Sequence, residues 1–198
     1  MSVSGQQGRR PRADVQRNRS ALLEAAQRHF LQHGVRASLE AVAKEAGVGA
    51  GTLYRHFPTR EALLAAVLQT RSEELVARQA DIAQLGDAAE ALEQWLRALE
   101  DYFSAFSGLP EPLMAAARAQ DPDNPLTIPC GTVITATEEY VRAAQLAGHV
   151  RESVQGYDLF LSACSVAWLK GVGGADKESL DRVRALIASG YRNRDAQA

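Results

Sequence analysis

Ser38-Leu39-Glu40-Ala41-Val42-Ala43-Lys44-Glu45-Ala46-Gly47-Val48-Gly49-Ala50-Gly51-Thr52-Leu53-Tyr54-Arg55-His56-Phe57 reads as two short helices broken by a glycine turn. Leu39, Val42, Ala43 and Ala46 give the first helix one apolar face, and Leu53 and Phe57 return the second helix to the same core. Thr52, Tyr54, Arg55 and His56 are left facing outward, and they are hydrogen-bond donors rather than acids. Two helices joined by a short glycine-containing turn, the second presenting donors, is the plan of a helix-turn-helix that reads DNA.

Upstream of this stretch, Leu22, Leu23, Ala26 and Phe30 recur at helical spacing from about Asp14 to His33, where Gly34 stops the pattern. Residues 1–12 are mostly Gly, Gln, Ser and Arg without periodicity and read as a flexible basic arm. Downstream, Thr59 is an expected N-cap for a longer amphipathic helix carrying Leu63, Leu64, Val67 and Leu68, running on towards Ile82. Asp87 and Glu90 have capping-box spacing and open a helix through Leu92, Trp95, Leu99, Phe103 and Phe106 to Ser107-Gly108. Prolines 110, 112, 122, 125 and 129 leave room for one short helix near Leu113–Arg118. Helices are then expected from about Pro129 to Ala147, from Gln155 to Lys170 and from Lys177 to Tyr191. No stretch alternates convincingly with period two. The reading is all-α, about nine helices: a helix-turn-helix unit over 13–58, with the start of the linking helix to about 70, and a helical domain over 59–198.

The formal net charge of -2 hides an asymmetry. Residues 1–70 hold ten Arg and Lys against five acids, +5, and the rest holds twelve against nineteen, -7. A basic third on an acidic remainder fits a chain in which only the first part meets a polyanion. No run of about 18 apolar residues suggests a membrane span, and no apolar segment follows the basic N-terminus as in a signal peptide. Cys130 and Cys164 are isolated from each other and from histidine, so a reduced, cytoplasmic setting is expected. Gly47-Val-Gly-Ala-Gly51 lacks the preceding strand of a dinucleotide loop, and His29 with His33 lacks a third metal ligand. No cofactor, metal or catalytic constellation is expected.

The N-terminal third closely resembles the DNA-binding domain of TetR/AcrR-type transcriptional regulators. The resemblance is carried by Arg19, Leu22-Leu23, Ala25-Ala26, Phe30 and Gly34; by Ser38-Leu39, Val42-Ala43 and Ala46-Gly47-Val48; by Gly51 to Phe57; and by Arg60-Glu61 and Leu63. A recognition helix enters the major groove by its N-terminal part, so Gly49, Ala50, Gly51 and Thr52 are expected nearest the base edges. Arg55 is the long side chain best able to reach a guanine edge or a phosphate. The Ser38 hydroxyl is a candidate for the DNA backbone, and Arg9, Arg10 and Arg12 for the backbone or a flanking minor groove. By the resemblance, Tyr54, His56 and Arg60 contact phosphates.

The resemblance also implies a homodimer on a palindromic double-stranded operator, and a small-molecule effector held by the second domain. Candidate pocket residues are Trp95, Leu99, Tyr102, Phe103, Phe106, Met114, Ile134, Thr137, Tyr140, Cys164 and Trp168, a lining that favours a mostly apolar ligand. Candidate dimer contacts are Leu159, Phe160, Ala163, Ala167, Leu180, Val183, Leu186, Ile187 and Gly190. Repression relieved by the effector is the implied sense. The competing reading is an architectural DNA binder without a ligand.

Overall fold

In the computed structural model, residues 10–193 are described, with side chains from residue 13 onward. Among them are nine helices: α1 (Arg10–His33), α2 (Leu39–Glu45), α3 (Ala50–His56), α4 (Arg60–Ile82), α5 (Ala88–Phe103), α6 (Pro110–Ala119), α7 (Thr127–Leu146), α8 (Gly156–Gly171) and α9 (Lys177–Tyr191). Arg9 lies outside the described residues, as do the side chains of Arg10 and Arg12, so the expected arm contacts have no geometry here.

Local chemistry explains most of the boundaries. Ser38, Thr59, Asp87 and Asp176 each accept a backbone N–H at a helix start. Asp87 takes two amides, those of Ala89 and Glu90, but the reciprocal box expected with Glu90 forms elsewhere, between Gln155 and Asp158. α7 starts two residues before Pro129, because a proline in the first turn lacks an N–H that would have no intrahelical partner anyway. α5 ends at Phe103 rather than at Ser107. The chain then turns, and Phe106 swings inward to full burial.

One apolar core runs from Leu22 in α1 through Leu53, Leu63 and Val67 to Trp95, Phe103, Phe160 and Ala167. α8 packs chiefly on α5 and α7, so it is the central helix of the second domain. That placement corrects the expected dimer face. Leu159, Phe160, Ala163 and Ala167 lie on the α8 stripe turned into the protomer's own core, and Leu180 is buried too. Their spacing (i, i+1, i+4, i+8) is that of one helical face, and burial inside the protomer satisfies it.

Candidate nucleic-acid interface

The helix-turn-helix closes as its residues dictate. Gly47 adopts φ +69, a conformation that favours glycine, and the turn is fixed by Gly47 N–H donating to Lys44 O and Val48 N–H to Ala43 O. Leu53 and Phe57 anchor α3 in the core, and Phe57 N–H donates to Leu53 O at 2.8 Å to end it. The Arg19 guanidinium of α1 lies 5.4 Å from the Phe57 ring centroid, so it clamps the helix end from the inside.

The outward face of α3 carries the expected donors. Gly49, Ala50 and Gly51 are exposed, and no side chain caps the helix start. Tyr54 is 44 % exposed, while His56 is half-buried beside Phe57, ring centroids 6.3 Å apart. Arg55 folds back on its own helix, donating to Thr52 Oγ1 at 2.8 Å and Gly51 O at 3.2 Å. Thr52 and Arg55 therefore form one hydrogen-bonded pair. The Ser38 hydroxyl caps Ala41 N–H and donates its proton to Glu40 Oε2 at 2.9 Å. Backbone amide, Ser38 and Arg60 together hold the Glu40 carboxyl below its usual range.

Arg60 has a role the sequence does not announce. Its Nη1 donates to Val35 O at 2.8 Å and Ala37 O at 2.6 Å, tying the start of α4 to the α1–α2 turn. The other side of that turn meets the second domain. Val35 N–H donates to Ser107 O at 2.9 Å, and Arg36 pairs with Glu111 at 2.9 Å. Phe30 meets Phe106 edge to face at 5.9 Å. Gly34, at φ +72, makes this approach possible: a Cβ there would stand 2.5 Å from Ser107 O. The DNA-reading unit is thus joined to the second domain twice, along α4 and across this seam.

The expected pocket residues are not brought together around an open space. Trp95, Leu99, Phe103, Phe106, Thr137 and Cys164 are buried and packed on neighbours. Trp95 Nε1–H donates to Thr137 Oγ1 at 3.0 Å, and Tyr140 stacks on the Trp95 ring while its hydroxyl donates to Gln79 O. Burial pushes the Cys130 and Cys164 thiols up to about 12, so both stay protonated. Tyr102, Met114 and Ile134 are half-buried. Trp168 is 49 % exposed and faces away from the interior. A cavity of about 600 Å³ lies instead between α5, α8 and α9, and none of the expected pocket residues lines it. Ala163 and Ile187, both expected at the dimer face, line this cavity. Leu186 and Gly190 remain outward on α9, Leu186 at 72 % exposure, and Val183 is half-buried.

A donor-bearing helix held on a two-helix frame, coupled to a larger helical domain, is the build of a one-component DNA-binding regulator. Residues 22–67 match the family of "Bacterial regulatory proteins, tetR family", and residues 87–193 match "Transcriptional regulator SbtR-like, C-terminal domain". The chain belongs to the TetR family of transcriptional regulators. It is similar to the TetR transcriptional regulator SCO0520 from Streptomyces coelicolor, with 32% identity and a TM-score of 0.54, covering 89% of this chain and 99% of that one. It shares its fold with the ketosteroid regulator KstR2 of Mycobacterium tuberculosis at 19% identity, TM-score 0.56, over 98% of this chain and 100% of that one. The HTH-type regulator UidR of Escherichia coli K12 is 36% identical over 66 residues, 33% of this chain and 34% of that protein. The chain thus matches about a third of the length of that curated relative. No helix among the described residues is long and apolar enough to cross a membrane.

Proposed function

We propose that this regulator is a two-fold homodimer that holds a palindromic operator and releases it when a small, mostly apolar molecule enters the second domain. The observation that carries the reading is α3 itself, a helix anchored by Leu53 and Phe57 whose free face is Thr52, Tyr54 and Arg55. Thr52 and Arg55 read bases, with the exposed glycines letting backbone approach. Tyr54 and His56 hold phosphates, which fixes register more than sequence. Arg60 sets the frame through the Val35 and Ala37 carbonyls, so its effect on DNA is indirect as well as electrostatic.

The dimer is built from the outward sides of the last two helices. Trp168 on α8, Val172 at its C-terminal cap, and Leu186 and Gly190 on α9 are the exposed residues available for it, with Val183 half-buried among them. A two-fold dimer sets its recognition helices about 34–36 Å apart, one turn of B-DNA. The effector favours one spacing over another, and α4 with the Gly34–Ser107 seam carries that difference to α3.

Footprinting of the DNA flanking the coding region tests the proposal. A short, salt-sensitive palindromic footprint that is lost with an effector is the expected result. Uniform protection along the fragment would favour the ligand-independent architectural reading instead.

A further inference from the structure

The half-buried arginines of this fold are mostly provided for. Arg60 Nη1 has two carbonyls; Arg184 has Glu100 at 2.6 Å and Asp181 at 2.8 Å; Arg192 has Glu93. Arg19 has only the Phe57 ring, and Arg71, in the middle of α4, is the arginine among the described residues with a fully buried donor left over. Its Nε is out of reach of solvent and has no hydrogen-bond acceptor. Its one acidic neighbour is Glu74, 3.4 Å away and itself 73% exposed, against 23% for the Arg71 side chain. Such an exposed pair contributes little, whereas an unsatisfied buried N–H is costly.

Two of the expected pocket residues, Phe106 and Tyr102, lie beside Arg71. The guanidinium carbon lies 5.6 Å from the Phe106 ring centroid. The Tyr102 hydroxyl, donating to Leu68 O at 3.1 Å, stands one turn back along α4. Burial drives that phenol up to about 12 even though the nearby Arg71 charge pulls it down. A cation sits where the sequence suggested only apolar and neutral polar walls.

We propose that Arg71 is the anchor for an anionic group of the effector, which is therefore an apolar monocarboxylate rather than a neutral hydrocarbon-like molecule. A carboxylate meets the Nε and Nη edge of a guanidinium with two parallel hydrogen bonds, satisfying the orphan N–H and displacing the loose Glu74 contact. The apolar body lies against half-buried Tyr102 and parts the side chains that are packed there without it. This inference rests on the ligand-responsive reading above and deepens it, because Phe106, under the guanidinium, is also the ring that meets Phe30 of α1. The anion thus binds beside the seam to the DNA-reading unit.

The test uses the full chain with octanoate, decanoate and 4-phenylbutyrate, each beside its matching alcohol. Binding is read by thermal shift and by operator release. The acids are expected to bind about 10–100-fold more tightly than the alcohols, the range of a charge-assisted bidentate pair. Arg71→Gln abolishes that preference and Arg71→Lys keeps only part of it, each variant read against its own operator affinity without probe. Glu74→Gln, at an exposed position, tightens the acids by about two- to fivefold. Equal binding of acid and alcohol, an acid preference that survives Arg71→Gln, or no Arg71-dependent binding by any of the acids would each overturn the anchor. Arg71-dependent acid binding that leaves operator occupancy unchanged keeps the anchor and defeats the ligand-responsive reading. Release by acid and alcohol alike does the reverse.

Discussion

The recognition helix α3 and the α5–α8 core solve opposite problems with similar residues. α3 keeps Tyr54 and Arg55 outside, held by only two buried anchors, and on the proposed reading their partner is another molecule. The α5–α8 core turns Phe103 and Phe160 into one another, stacks Trp95 on Tyr140 and satisfies polar atoms internally, as Trp95 does with Thr137. The difference teaches that a residue acting on an external partner stands out as an exposed donor. On the proposed reading, a residue acting on an internal ligand looks like packing until an unsatisfied atom gives it away, as at Arg71 Nε.

The comparison breaks most sharply at Trp95. If that side chain is packing, Trp95→Ala costs about 3–5 kcal/mol in urea unfolding, the range for a large aromatic removed from a core. A loss below about 1 kcal/mol would mean that the interior is already a vacant pocket. Arg60 lies on the border between the two regions. Arg60→Ala leaves the Val35 and Ala37 carbonyls without their donor, so a stability loss of about 1–3 kcal/mol is expected together with weaker DNA binding. Unchanged stability with only a flatter salt dependence would move Arg60 wholly to the reading side. Tyr54 gives the smallest effect on folding. Tyr54→Phe stays within about 0.5 kcal/mol of the parent, as surface changes do, yet weakens binding to operator and non-specific DNA alike. A drop in melting temperature without loss of DNA affinity would instead make Tyr54 a packing residue.

The same contrast explains what could be read from the sequence. The order of the nine helices was legible because caps and apolar spacing are local: Thr59 and Asp87 cap the helices expected of them. The turn at Gly47 and the exposed donors of α3 were legible for the same reason. The inward stripe of α8 was misassigned because Leu159, Phe160, Ala163 and Ala167 have the same pattern whether they face their own core or a second chain. Only packing against α5 and α7 decides it. Arg60 and Arg71 were opaque in another way, since their partners at Val35, Ala37 and Phe106 lie far off in sequence and two of them are backbone carbonyls. Side-chain identity carries no trace of a carbonyl's position.

The Gly34–Ser107 approach also bears on exchange of parts between regulators. A contact made from backbone to backbone is indifferent to most side-chain changes, so Ser107 can supply its carbonyl whatever residue stands there. Gly34 cannot be replaced so freely, because any Cβ would fall 2.5 Å from that oxygen. A graft that fits a foreign DNA-reading unit onto this helical core will inherit the second joint only if the incoming turn brings a glycine to position 34. Without it, the hybrid would fold around α4 alone and lose one of its two mechanical links.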